Sequence, residues 1–178
     1  MFPGANDNAS GVAVLLELAR LFAVHPPLIP VRLVLLDMSV QGALDHQKTL
    51  VMGSRFFARH YAGPTPVGIV VLQMVGGEYL SIRKNYYCLT YAPAWTEFVW
   101  DEARELELFQ FEAEQTDSFF SDHVPMLKQN LPAVFIGDSE YPYRNSPEDG
   151  IDQCSPESLG AVGRLIVRLI YGTQEEQN

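Results

Sequence analysis

Pro3-Gly4-Ala5-Asn6-Asp7-Asn8-Ala9-Ser10-Gly11-Val12-Ala13 is the stretch on which the fold of this chain is read. Asn6, Asp7, Asn8 and Ser10 are residue types whose side-chain oxygens accept hydrogen bonds from the orphan amides of a helix start. Val12, Leu15, Leu16, Ala19 and Phe22 follow at the i, i+3, i+4, i+7 spacing of one apolar face, and the pattern stops before Pro26-Pro27. The spacing predicts a helix between this turn and the prolines. From the residues alone, Asp7 is a helix cap.

Outward from that helix, Val31-Arg32-Leu33-Val34-Leu35-Leu36 is too continuously aliphatic for a half-exposed strand and predicts a parallel strand covered on both faces. Val67 to Val75 and Pro132 to Ile136 repeat the pattern, while Leu108 to Glu112 alternates as an edge-side strand does. Helical segments are expected at Ser54 to Tyr61, Ala94 to Leu106 and Asp122 to Gln129. The last helix starts at Ser155-Pro156-Glu157, which supplies cap, first-turn proline and early acid. It carries Leu159, Val162, Leu165, Ile166, Leu169 and Ile170 as an apolar stripe ending at Gly172. Strands alternating with helices imply an α/β three-layer sandwich with a mostly parallel central sheet flanked by helices. One domain over residues 1–173 and a frayed tail at 174–178 are expected.

With 178 residues and 47% hydrophobic content, the chain can bury a sizeable single core. Its formal charge of −10 argues against a nucleic-acid partner, and no basic run suits an anionic membrane surface. No apolar run approaches the roughly 18 residues of a membrane span, and the first residues lack the charged and apolar regions of a secretion signal. A cytoplasmic address is the default expectation. Cys88 and Cys154 form neither a C-x-x-C pair nor a disulfide framework, so buried or idle thiols are expected.

The opening turn and the helix Ala13-Val14-Leu15-Leu16-Glu17-Leu18-Ala19-Arg20 resemble the metal-binding turn of di-zinc aminopeptidases and their one-zinc relatives, the glutaminyl cyclases. The resemblance continues through Gly53-Ser54-Arg55, Met74-Val75-Gly76-Gly77, Ser121-Asp122-His123 with Pro125, Leu131-Pro132-Ala133, Tyr143 and Ser146-Pro147-Glu148-Asp149. The long spacing from Asp37 to Gly53 looks like an insertion of the cyclases. The resemblance implies the zinc exopeptidase fold, with Asp7 matching a zinc ligand.

The same resemblance implies that the remaining chemistry is replaced. Where the family has a general base and a zinc-binding acid after the second strand, this chain has Ser39 and Val40. Gln73 stands for an Asp before Met-Val-Gly, and Asn145 stands for a His before the Ser-Pro motif. Zinc prefers three or four thiolate, imidazole or carboxylate ligands, and catalysis further needs a base for the metal-bound water. Asp7 alone offers one carboxylate, so no cofactor is expected.

Among the histidines, His25 sits in a turn, His46 beside Asp45 in the insertion, and His60 at a helix end, all expected in structural or solvated roles. Ser121, Asp122 and His123 are consecutive and so cannot converge as a catalytic triad must. By resemblance, Asp122 and His123 are expected to shape a pocket that Phe119, Phe120 and Tyr143 wall, although packing is the simpler role for such aromatics. Asp101, Glu102, Glu105 and Glu107 are expected on the wet face of a helix and its exit.

The expected function is an exopeptidase-like domain without catalysis, serving binding or assembly, with a peptide as possible ligand. The alternative is an active zinc aminopeptidase or glutaminyl cyclase acting on peptide N-termini. The family's strand preceding the Asp7 turn has no counterpart in the sequence. Completion by a second copy or another chain burying Val31 to Leu36 or Val67 to Leu72 is therefore expected, unless the sheet is remodelled or Met1 is not the natural start.

Overall fold

The structure is a computed structural model and describes residues 2–38, 51–115 and 118–172. Ser39, Val40, Asp45, His46 and the tail at 174–178 lie outside the described residues.

The chain enters through a wide turn at Ala5–Ala9, within which Asp7 and Asn8 leave helical geometry and are joined by a cis peptide bond. Helix α1 (Ser10–Val24) follows and ends at His25, whose N–H donates to Leu21 O at 2.8 Å ahead of the two prolines. Its buried residues are Ser10, Gly11, Val14 and Leu18, whereas Leu16 and Ala19 of the expected face are exposed. Gly11 accounts for the rotation. A Cβ there would lie 2.7 Å from Leu72 O, so only glycine lets the helix approach the strand end this closely.

Helix α2 (Met52–Arg59) is joined to strand β1 (Ile69–Leu72) by a loop in which Val67 is 92% exposed, so the strand is shorter than its apolar run. β1 pairs in parallel with β4 (Ala133–Ile136), whose residues are all buried. A second parallel pair joins β2 (Ile82–Lys84) to β3 (Phe111–Gln115).

Between them lie α3 (Tyr86–Tyr91) and α4 (Pro93–Glu105). The sequence reading did not include α3, a short helix whose cap is Asn85, accepting from Tyr87 N–H at 3.0 Å. β3 begins later than the expected 108–112 strand because the chain first reverses after α4. Glu107 takes φ 54° and Leu108 N–H donates back to Ala103 O at 3.0 Å.

Helix α5 (His123–Leu127) is buried along its whole length. Helix α6 (Pro156–Tyr171) is capped by Ser155 and buries Ala161, Val162, Leu165, Ile166, Leu169 and Ile170. α6 packs on α1 and α4, α4 packs on β3 and β4, and α5 packs on β4 with α2 beyond it. No helix among the described residues is long and apolar enough to cross a membrane.

The run Val31 to Leu36, expected as a doubly covered strand, forms no β ladder among the described residues, and Leu35 is 65% exposed. An apolar run becomes a strand only where a neighbouring strand answers its amides. β1 answers β4: Ile69 N–H donates to Pro132 O at 2.7 Å and Gln73 N–H to Ile136 O at 3.1 Å. On β1, Leu72 O accepts from the Asn8 side chain rather than from a strand. Residues 32–38 and α2 instead border a groove of about 680 Å³ lined by Leu35, Met38, Met52 and Phe56.

Candidate functional site

The polar residues of the opening turn are not local helix caps. Ala9 occupies the N-cap of α1 and makes no side-chain cap bond. Asn6 Oδ1 accepts from Gly76 N–H at 2.7 Å, and Asn8 accepts from Met74 N–H at 3.3 Å while donating to Leu72 O at 3.1 Å. Ser10 Oγ donates to Asn6 O at 2.6 Å and accepts from Val75 N–H at 3.1 Å. The turn is therefore stitched to the segment 72–76, where the strand has ended and its amides lack a ladder partner.

Its other side is held by Asp149, which is buried. Asp149 Oδ1 accepts from Asn6 N–H at 2.8 Å and Tyr141 O–H at 2.9 Å, and Oδ2 accepts from Asp7 N–H at 3.0 Å. Ala5 N–H adds a bond to Asp149 O at 3.1 Å. Burial pushes the Tyr141 hydroxyl well above its ordinary range, and its bond to Asp149 adds to the rise. Asp7 itself has its carboxyl raised by burial, pulled back by the Arg144 cation, raised again by Asp149 and lowered by the backbone N–H of Asn145.

Gln73 follows β1 and is buried. Its Nε2 donates to Asp122 Oδ2 at 2.8 Å and its Oε1 accepts from Ser121 Oγ. Asp122 and His123, expected to shape a pocket, both lie beneath the surface, His123 at 0% exposure. Asn85 Nδ2 donates to Phe119 O at 3.1 Å, which leaves Asn85 Oδ1 as the acceptor for His123 Nε2–H at 3.1 Å. His123 Nδ1 then has no partner among the described residues, and burial pushes the imidazole pKa down to about 3. The ring is a neutral core group, wedged between Tyr87 and Phe135.

Of the expected pocket aromatics, Phe119 packs on Phe135 with centroids 5.2 Å apart and carries the Arg144 guanidinium 4.9 Å above its ring. Phe120 packs edge-on to Tyr87 at 6.1 Å, while Tyr143 is exposed and leans on Tyr141 at 5.7 Å. His60 closes α2 with Nδ1 2.8 Å from Phe56 O and its ring stacked on Phe56 at 4.1 Å. Cys88 is a buried thiol pushed up to about 12 by burial and approached by Phe135 N–H at 3.3 Å. Neither residue approaches the turn chemistry.

The structure thus joins Asp7, Asn145 and Arg144 to one turn, and Gln73, Ser121 and Asp122 to one buried cluster. Sequence reasoning gave no role to Asp149 or Arg144. Asp149 was quoted within a motif, but its partners Asn6 and Asp7 are 143 and 142 positions away, beyond any local signal.

Zinc does not fit the described donors. No group of three His, Cys, Asp or Glu that could hold a metal comes together among the described residues. Both oxygens of Asp149, the second carboxylate at the turn, already accept from Asn6, Asp7 and Tyr141. Gln73 and Asn145 bring no anionic charge against a dication.

Aminopeptidase YwaD of Bacillus subtilis is 29% identical over 180 residues, covering 95% of this chain and 37% of that protein. The uncharacterized protein YfbL of Escherichia coli is 25% identical, covering 97% and 60%. The chain therefore spans less than two thirds of either relative. Among solved structures, the glutaminyl cyclase of Tannerella forsythia superposes with a TM-score of 0.88 at 30% identity, covering 96% of this chain and 64% of that one. A Zn-dependent exopeptidase from Parabacteroides distasonis gives 0.86 at 26% identity, covering 96% and 64%. Residues 1–170 match the profile of Peptidase family M28, and with these likenesses the chain belongs to that family.

Proposed function

We propose that this M28 domain has lost hydrolysis and works in binding or assembly. The observation that carries the reading is the Gln73 side chain: an uncharged amide stands at the end of β1 and both its ends are taken, by Asp122 and by Ser121. A metal-bound water needs several anionic or imidazole ligands and a nearby base before it ionises near neutral pH. Asp7 supplies one carboxylate, and Ser39 and Val40 are not bases.

The test is elemental analysis of the purified protein together with assays on aminoacyl and N-terminal glutaminyl substrates. The expected result is no stoichiometric zinc and no turnover. Zinc at one or more per chain, with turnover that vanishes in Asp7→Ala, would overturn the reading in favour of an active aminopeptidase or glutaminyl cyclase acting on peptide N-termini, the activities named for its relatives.

The assembly half of the reading rests on apolar surface. Leu35, Met38, Met52 and Phe56 are exposed around one groove beside the unladdered run Val31 to Leu36. Contiguous apolar surface of this kind marks interaction faces. A second copy, or another chain, burying Val31 to Leu36 or Val67 to Leu72 follows as the proposal, with a peptide as the ligand class. Light scattering that finds a monomer at high concentration, with no co-purifying chain, would sink the assembly half.

A further inference from the structure

We propose that two copies of this chain join by reciprocal strand addition: the run Val31 to Leu36 of each copy pairs with the open edge of β1 in the other. The inference rests on the assembly reading above and deepens it by naming the partner, the edge and the mode of contact.

The open edge is read from the ladder. Along a strand, alternate residues turn their backbone N–H and C=O to the same side. Ile69 and Gln73 donate to Pro132 O and Ile136 O beside β4, so Val70 and Leu72 face the opposite side. There Leu72 O is taken by the Asn8 side chain at 3.1 Å. Val70 N–H, Val70 O and Leu72 N–H have no hydrogen-bond partner among the described residues. Leu72 is buried and Val70 half-buried, and a backbone group shut from water without a partner is costly.

The strand that could answer this edge lies in the same sequence. Residues 31–37 run on without turn or helix and make no backbone hydrogen bond among the described residues. The first comes at Met38, whose O accepts from Met52 N–H at 3.1 Å. No ladder joins the run to β1 of its own copy among the described residues. Val31 and Leu36, at its ends, pack against the core, whereas Arg32 and Leu35 are exposed. Pro26, Pro27 and Pro30 stiffen the arm that leads to the run, and Leu28 on that arm is 80% exposed.

The two deficits select a second copy as the occupant. An unrelated extended peptide would answer the β1 edge by strand addition but would leave the run unladdered. Under a two-fold axis, the run of one copy meets the edge of the other and the reverse holds at once. The contact then closes with both sets of amides answered and no sheet edge left over to recruit further chains.

Disulfide trapping tests the pairing, in a Cys154→Ser background whose remaining thiol, Cys88, is buried. A chain with Val70→Cys is co-expressed with a differently tagged chain in which residues 32–36 are replaced by cysteine one at a time, and the mixture is mildly oxidised. Covalent heterodimers are expected at alternate run positions, because side chains along a strand alternate between faces and a disulfide demands close Cβ atoms. Leu35→Lys, at an exposed position, is expected to weaken self-association in light scattering roughly tenfold while the monomer stays folded. A monomer at high concentration would overturn the proposal together with the assembly reading. A dimer that traps no heterodimer, or traps one at consecutive positions, would overturn the strand addition alone. In a chain carrying both cysteines, a bond formed within one polypeptide rather than between two would put the run on its own edge and overturn it as well.

Discussion

The Asp7 turn and the groove between residues 32–38 and α2 are opposite kinds of surface on one molecule. In the turn, Asn6, Asn8, Ser10 and Asp149 are tied by hydrogen bonds to distant parts of the chain, so the polar residues act as structural ties. In the groove, apolar side chains such as Phe56 remain largely exposed, Phe56 at 66% even with the His60 ring stacked on it. The contrast teaches that residue types in a sequence do not say which polar groups are consumed by the fold and which surface stays open. The turn that resembles a metal-binding motif is clasped by hydrogen bonds on both sides, and the exposed apolar surface lies elsewhere.

The sharpest way to break the comparison is to cut the clasp. Asp149→Ala leaves the N–H groups of Asn6 and Asp7 and the Tyr141 hydroxyl without their acceptor, and should cost roughly 3–5 kcal/mol in denaturant unfolding. A loss below about 1 kcal/mol would mean the turn stands without it.

Acid should sharpen it next. His123 is neutral when folded because burial depresses its pKa to about 3, while the unfolded ring titrates near 6.5. The unfolded state then binds more protons between those values. The contribution of His123 to stability is complete above about pH 6.5 and declines as pH falls towards 3, with a slope approaching about 1.4 kcal/mol per pH unit. Unfolding of the natural protein and of His123→Leu, compared from pH 7 to 4, should show that slope flattened in the variant.

Asn8→Ala removes both a donor to Leu72 O and an acceptor for Met74 N–H, with an expected loss of about 1–2 kcal/mol in the same assay. The smallest effect belongs to the groove. Phe56→Ser should change monomer stability by no more than about 0.5 kcal/mol while weakening self-association in light scattering. Unfolding on that substitution would make Phe56 part of a core and erase the contrast.

Most helices were legible in the sequence because their signals are local. Ser155-Pro156-Glu157 starts α6 as its cap and proline predict, and the stripe from Val162 to Ile170 is the buried one. The strands were legible as apolar runs but not as lengths: Val67 reads apolar and is exposed, since whether a residue joins a ladder depends on a neighbour far along the chain. Val31 to Leu36 failed for the same reason. At the site, residue types were legible and roles were not. Asn6 and Asn8 have the chemistry of caps, and only the approach of segment 72–76 turns them into cross-links.

The Asn6–Asp149 bond spans 143 positions, which places an order on events during biogenesis. Helix α1 can coil as soon as it leaves the ribosome and its turn can meet segment 72–76 next, but the other side of the turn cannot be fastened until the aspartate near the far end has been synthesised. The entropy of joining such distant partners must be met by contacts formed earlier. Nascent chains arrested short of that aspartate should therefore be more open to protease at the Ala5–Ala9 turn than the finished domain is.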